Sequence, residues 1–335
     1  MQLDKTRIKK IAVFRALQLG DILCAIPAIR NLRMNFPEAE ITFIGLKGTE
    51  PLIGRFPKYI DKFVCFPGYP ELPEQPFNQK EFDSFLTEMK SEAFDMLLQM
   101  QGNGTIVNKM LSAFKSKHLA GFSIDNEEQR ENPLLMPYPN SGHESLRHLQ
   151  LISFLGLEVF ETAMEFPLSE TDVRNFEAKR FPVKQRFICL HAGSRGSWRQ
   201  WPPEYFAKIA DVCSGRGFQV VLTGTPEELE LTNEVAKKMI TQSLVLAGQT
   251  DLGILGILLK RCAGLIANCT GISHIAAALQ VPSVIISMDG EPERWAPLDR
   301  NLHYTIDWTK NPHYELVEHA VLKLLSRPAI PEVAP

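Results

Sequence analysis

Residues 264–279 carry the pattern of an anion site. Gly264, Leu265, Ile266 and Ala267 read as the end of a buried strand, Thr270 and Gly271 as a turn, and Ile275, Ala276 and Leu279 as the core face of the next helix. A strand entering a helix through such a turn leaves the first backbone N–H groups unpaired at the positive end of the helix dipole, where phosphate fits. The same pattern serves any strand-to-helix connection of an α/β protein.

Three further segments carry groups suited to related chemistry. Beyond an apolar run at 11–14, Gly20 and Asp21 stand at a helix start. Asp21 fits either a carboxylate base or a first-turn residue that satisfies orphan N–H groups. Beyond a second run at 187–190 come Gly193, Ser194, Arg195 and Arg199. Glycine and hydroxyl groups approach phosphate closely and guanidinium groups neutralise it, although a surface loop with solvated arginines has the same composition. Trp201 and Pro202 read as a hydrophobic lid on the next helix. Beyond residues 218–222, Glu227 and Glu228 follow a glycine loop, suited to ribose hydroxyls or to the positive end of a helix. His191 and His274 lack an HxxxH partner, so hydrogen bonding or packing is expected of them and no metal site. Residues 288–297 read only as a loop.

These groups need a scaffold, and apolar runs alternate with helical patterns through most of the chain. Strands are expected at 11–14, 41–44 and 94–98, with helices at 21–36 and 145–155 and a Pro- and Gly-rich loop at 66–80. A second series has strands at 187–190, 218–222, 243–246, 264–267 and 281–287, with helices at 203–216, 227–239 and 252–262. The expected fold is α/β, two Rossmann-like open parallel-sheet domains at 1–165 and 166–327, the last helix free to pack back on the first, and a tail at 328–335. Two such domains imply a cleft between them, with ligands gathered at the carboxyl ends of strands.

A chain of 335 residues, 44% hydrophobic, is long enough for two cores. Its net charge of -3 supplies no global basic field, so no nucleic-acid partner is expected. The six cysteines (24, 65, 189, 213, 262 and 269) form no CxxC pair and lie mostly in apolar runs, as reduced core residues do. No run resembles a signal peptide or a membrane span, so the triplets at Asn103 and Asn268 carry no glycan expectation. Cytoplasmic residence is expected, with peripheral contact at the inner face of the membrane left open.

The order and spacing of these segments resemble the ADP-heptose:lipopolysaccharide heptosyltransferases, the family 9 glycosyltransferases of GT-B fold, over most of the chain. The resemblance rests on Ile11 to Arg15 with Leu19, Gly20, Asp21 and Pro27 to Arg30; on His191 to Ser194 with Trp201 and Pro202; and on Thr270 to His274 with Ala276 to Leu279. It implies an inverting transfer without metal or cofactor, moving a heptose-like sugar from an ADP-sugar to a lipopolysaccharide-core or related glycan acceptor, lipid-linked or oligosaccharide. Asp21 matches the family's base, with Gly20 and Arg30 on the acceptor side. Ser194 and Arg199 match phosphate contacts, Arg199 standing where relatives place a lysine. Glu228 matches a ribose-binding glutamate, Ala247 lies where adenine is held, and Thr270, Gly271 and His274 match the diphosphate site.

Cys269 departs from the family's Asp-Thr-Gly, which leaves the sugar open, and no neighbour in the sequence activates it as a nucleophile. Two alternatives stand beside the leading one: a GT-B nucleotide-binding protein without transfer activity, and a family 9 transferase using another nucleotide sugar. A nonhydrolysing sugar-nucleotide epimerase fits the spacing around Gly20 and Asp21 less well. Arg30, Arg33, Lys109, Lys115 and Lys117 are candidates to face acceptor phosphates, the three lysines having an ordinary solvated surface as their alternative.

Overall fold

The computed structural model describes residues 4–327, so the expected tail at 328–335 lies outside the described residues. The chain divides into two units, Met1–Met164 and Glu165–Pro335. Each is built on one six-stranded parallel sheet.

In the first unit the strands are β1 (Lys10–Phe14), β2 (Glu40–Leu46), β3 (Lys62–Phe66), β4 (Met96–Gln99), β5 (His118–Ser123) and β6 (Leu135–Pro137). Their order is β3-β2-β1-β4-β5-β6, and every pairing is parallel. Ile11, Ala12, Val13 and Phe14 are fully buried, because a central strand of a parallel sheet is covered on both faces and needs an unbroken apolar run. β3 was not anticipated from sequence: it is an edge strand with four of five residues at least partly exposed, so it lacks such a run. β5 carries Gly121 in its middle, where a Cβ would stand 2.6 Å from that of Gln99 and the φ of +153° suits glycine.

The helix Leu19–Asn35 follows β1 and carries a polar stripe inside its buried face. Asn31 donates to Glu161 O at 2.6 Å and accepts from Phe160 N at 2.6 Å, while Asn35 donates to Glu158 O at 2.8 Å. The extended segment at 158–163 is thereby tied to the helix by main-chain bonds that do not depend on its own side chains.

The second unit contains β7 (Phe187–His191), β8 (Gln219–Leu222), β9 (Ser243–Val245), β10 (Leu265–Asn268), β11 (Ser283–Ser287) and β12 (His303–Asp307). Their order is β12-β11-β10-β7-β8-β9, again parallel throughout. Strand for strand this repeats the first sheet: winding reverses between β1 and β4 in one and between β7 and β10 in the other. The helix Tyr314–Leu325 packs on β11, β12 and the helix Pro203–Gly215, all within the second unit. Of the six cysteines, all free, Cys65 on edge strand β3 is exposed and the other five are buried.

Trp201 organises the second core. It is fully buried, with Tyr205, Phe206, Trp308 and Tyr314 around it at ring separations of 5.1–6.2 Å. This agrees with its reading as a packing residue on the next helix. All four tryptophans lie in this unit, so emission excited selectively at tryptophan reports on it. Trp201→Ala is expected to cost about 3–5 kcal/mol in urea titrations followed by the remaining tryptophans; a loss below about 1 kcal/mol would remove Trp201 from its central place in the core.

Candidate active site

In the first unit Arg15 leaves β1 directly into a fully buried position. Its Nε donates to the main-chain oxygen of Asp21 at 2.7 Å, its Nη1 to Met100 O, and its Nη2 to Glu144 Oε1 at 3.1 Å. The same Nη2 lies 3.6 Å from Asp21 Oδ1. Asp21 is the third residue of its helix, whose N-cap, Gln18, provides no side-chain cap. Its side chain is 25% exposed and therefore open to a ligand, while its oxygen rests beside a guanidinium that has nowhere else to go. A carboxylate in that setting is oriented and reachable, two requirements for a base.

Glu144, 5% exposed, accepts from Arg15 and from Arg147 Nη1 at 2.8 Å, so one buried carboxylate serves two buried guanidinium groups. His148 Nε2 lies 3.4 Å from it. Burial first, then the Arg15 charge, pushes the His148 imidazole down to about 4, which keeps it neutral near pH 7. Across the switch point, Gln101 Oε1 accepts from Ala16 N at 2.7 Å and fixes the loop after β1 to the loop after β4.

Arg30 stands apart from this group. It lies nine residues beyond Asp21 on the same helix, about 13 Å along the axis. Its Nη2 donates to Ala163 O at 2.8 Å and its Nε faces Glu161 at 3.2 Å, so it clamps the segment at 158–163. Arg33 donates to Ala39 O and Asp61. Lys109 and Lys115 are exposed, and Lys117 pairs with Asp95 at the opposite, amino edge of the sheet.

In the second unit the loops after β7, β8, β10 and β11 supply the groups. Asn268, fully buried at the end of β10, donates to Ala192 O at 2.7 Å and accepts from Trp201 N at 3.0 Å. It therefore holds both ends of the segment with Ser194 and Arg199 against the Thr270 turn. Thr270 is the N-cap of the helix Gly271–Ala278 but makes no side-chain cap, and its main-chain oxygen accepts from Ser273 Oγ at 2.6 Å. The helix N-terminus thus points from the end of a switch-point strand without a side-chain oxygen over it. His274 is buried one turn in, its ring edge-on to Trp295.

Glu228 and Ala247 come together at the end of β8, since a Cβ on Gly224 would stand 3.2 Å from Ala247 Cβ and 3.3 Å from Glu228 Cβ. Glu228 Oε2 accepts from Thr225 N at 2.8 Å in a capping box and lies 3.6 Å from His191 Nε2. His191, buried and bonded to Thr223 Oγ1 at 3.1 Å, has its pKa lowered by burial despite the nearby carboxylate. A Cβ on Gly193 would stand 2.1 Å from the Glu228 carboxylate, so the glycine leaves that carboxylate the place it occupies. Ser194 is buried beside it.

Arg199 sits in a single 3-10 turn, Ser197–Arg199, and donates from Nη2 to Asp289 Oδ2. Cys269 is 5% exposed, and burial first, with Asp289 adding to it, pushes its thiol up to about 12. That thiol stays protonated and is no nucleophile. Sequence reasoning missed Arg15, Glu144, Asn268 and Asp289. Arg15 and Asp289 were within reach of it, since a charged residue just past an apolar strand is a candidate by position; Glu144 was not, because 129 residues separate it from Arg15.

With this geometry in view, the chain compares directly with known proteins. Residues 83–324 match the model of glycosyltransferase family 9 (heptosyltransferase). Lipopolysaccharide heptosyltransferase 3 of Escherichia coli (strain K12) is 24% identical over 294 residues, covering 84% of this chain and 83% of the relative. Among solved structures, a family 9 glycosyl transferase from Veillonella parvula DSM 2008 superposes with a TM-score of 0.76 at 20% identity, over 95% of this chain and 97% of that one. The E. coli ADP-heptose lps heptosyltransferase II gives 0.72 at 20% identity, over 95% and 98%. The two six-stranded sheets are accordingly those of a GT-B fold. Since the family model spans well over half of the sequence, this chain belongs to glycosyltransferase family 9, the heptosyltransferases, and is a transferase enzyme.

Proposed function

We propose that this protein moves a heptose-like sugar, with inversion, from an ADP-sugar to a hydroxyl of a lipopolysaccharide-core or related glycan acceptor, and that Asp21 is the base. The observation that carries the reading is the Asp21 carboxylate, part-exposed and steadied by fully buried Arg15 at the carboxyl end of a switch-point strand. The names of the relatives, a lipopolysaccharide heptosyltransferase and an ADP-heptose transferase, support that donor and acceptor class. Asp21 takes the proton of the acceptor hydroxyl as its oxygen attacks the anomeric carbon. The bond to the diphosphate breaks on the opposite side, and the electron pair leaves with ADP. Thr270, Gly271 and the first N–H groups of their helix receive the charge that grows on the leaving phosphate, with Ser194 and Arg199 beside them. Glu228 binds the ribose, and Ala247 with its neighbours holds the adenine. A lipid-linked acceptor would bring the protein to the inner face of the cytoplasmic membrane.

One observation favours a second reading, nucleotide binding without transfer: Arg199 is already engaged by Asp289. Acceptor-dependent release of ADP from an ADP-sugar separates the two, because a binding protein releases none.

Asp21→Asn is expected to lower kcat about 10²–10⁴-fold while ADP affinity stays near that of the parent protein; turnover within threefold of the parent would exclude Asp21 as the base. Gly193→Ala should drive the Glu228 carboxylate aside and weaken ADP binding roughly tenfold, the value of one charge-assisted hydrogen bond. Unchanged ADP affinity in that variant would take Glu228 out of the donor site.

A further inference from the structure

Asp289 belongs to none of the motifs that mark the site, yet it is the most firmly held carboxylate near it. Its side chain is 5% exposed. Ser287 Oγ donates to its Oδ1 at 2.9 Å and Glu291 N to the same oxygen at 3.2 Å, so the group is anchored to the end of β11 whatever occupies its other oxygen. Arg199 takes that other oxygen. Arg199 is the looser partner: it is 30% exposed, on one 3-10 turn, with its guanidinium 5.6 Å from the ring of Trp198, itself 67% exposed. β10 and β11 are neighbours, and Cys269 N still donates to Ile286 O at 2.8 Å, which sets the ion pair beside the Cys269, Thr270 and Gly271 turn. The Cys269 thiol responds to both charges, raised by Asp289 and lowered by Arg199.

A guanidinium paired with a carboxylate forms a unit that is neutral overall, so its pull on a third group is weakened, and part of its donor fork is occupied. We propose that Asp289 is a built-in competitor for the donor's diphosphate at Arg199, so that a nucleotide diphosphate binds only by drawing Arg199 off the fixed carboxylate. This rests on the reading of the second unit as the donor site. The consequence is selectivity: a ligand with two phosphates offers enough charge to displace Asp289, whereas inorganic phosphate or a monophosphate offers less. An opposite role is equally definite in its outcome, for a carboxylate that merely orients Arg199 would aid binding.

Calorimetric titration of the intact protein, at fixed ionic strength, distinguishes the two roles with ADP and with adenosine, which lacks phosphates. Asp289→Asn is expected to tighten ADP about two- to fivefold and to leave adenosine unchanged, the range set by a partly exposed ion pair. Asp289→Glu should match the parent, and in an Arg199→Gln background the Asp289→Asn effect should shrink. Asp289→Ser repeats the measurement if the asparagine variant is not recovered folded. ADP affinity that is unchanged or weaker in Asp289→Asn, or an equal gain with adenosine, overturns the competitor role alone. A parent protein that binds neither ADP nor adenosine overturns the donor-site reading beneath it.

Discussion

Everything that could act in this protein depends on where two parallel sheets reverse their winding. Between β1 and β4, and again between β7 and β10, successive connections leave toward opposite faces, so no crossover covers the carboxyl ends of those strands. The strands are buried on both sides, and their loops are the first places where polar groups reach solvent. Each reversal is closed by one side-chain amide reaching from one loop to the other: Gln101 accepts from Ala16 N, and Asn268 donates to Ala192 O. An amide suits this task because it makes directed bonds in a buried place without the desolvation cost of an ion.

Charge is then placed against that frame under different conditions in the two units. Arg15 is wholly buried and cannot be left unpaired, so Glu144 balances it and the Asp21 main-chain oxygen takes its Nε. The resulting network is rigid, and Asp21 at its margin inherits the rigidity while keeping contact with solvent. Arg199 is partly exposed while its partner Asp289 is held in place, so any ligand reaches the pair from the arginine side. One arrangement suits a group that must stay oriented through a proton transfer; the other suits a group that must exchange partners when a ligand arrives.

Much of this was legible in the chain itself. The strands 11–14, 187–190 and 264–267 appeared within a residue or so of β1, β7 and β10, because a central parallel strand is a short continuous apolar run and needs no long-range information to be seen. β3, β5, β6 and β12 did not: three of them are edge strands with partly exposed residues, and interior β5 begins on His118 and carries Gly121, so neither kind shows a continuous apolar run, whereas the edge strand β9 was expected at 243–246. Gly20, Gly193 and Gly271 were marked by their position after strands. Their order along the chain carried the resemblance that the family comparison then established.

Residue types and periodicity alone thus determined the α/β class, two successive units and the loops in which chemistry could sit. Those properties are encoded over stretches of a few residues, where side-chain spacing decides which face is buried. Tertiary structure alone decided which polar groups meet: Arg15 with Glu144 across 129 residues, Arg199 with Asp289 across 90, and Arg30 with the segment at 158–163 rather than with Asp21. An ion pair between distant positions has no periodicity and leaves no local mark. It exists only because the strand order brings two loops to the same edge of a sheet, where a buried charge must find its counterpart or not be buried at all.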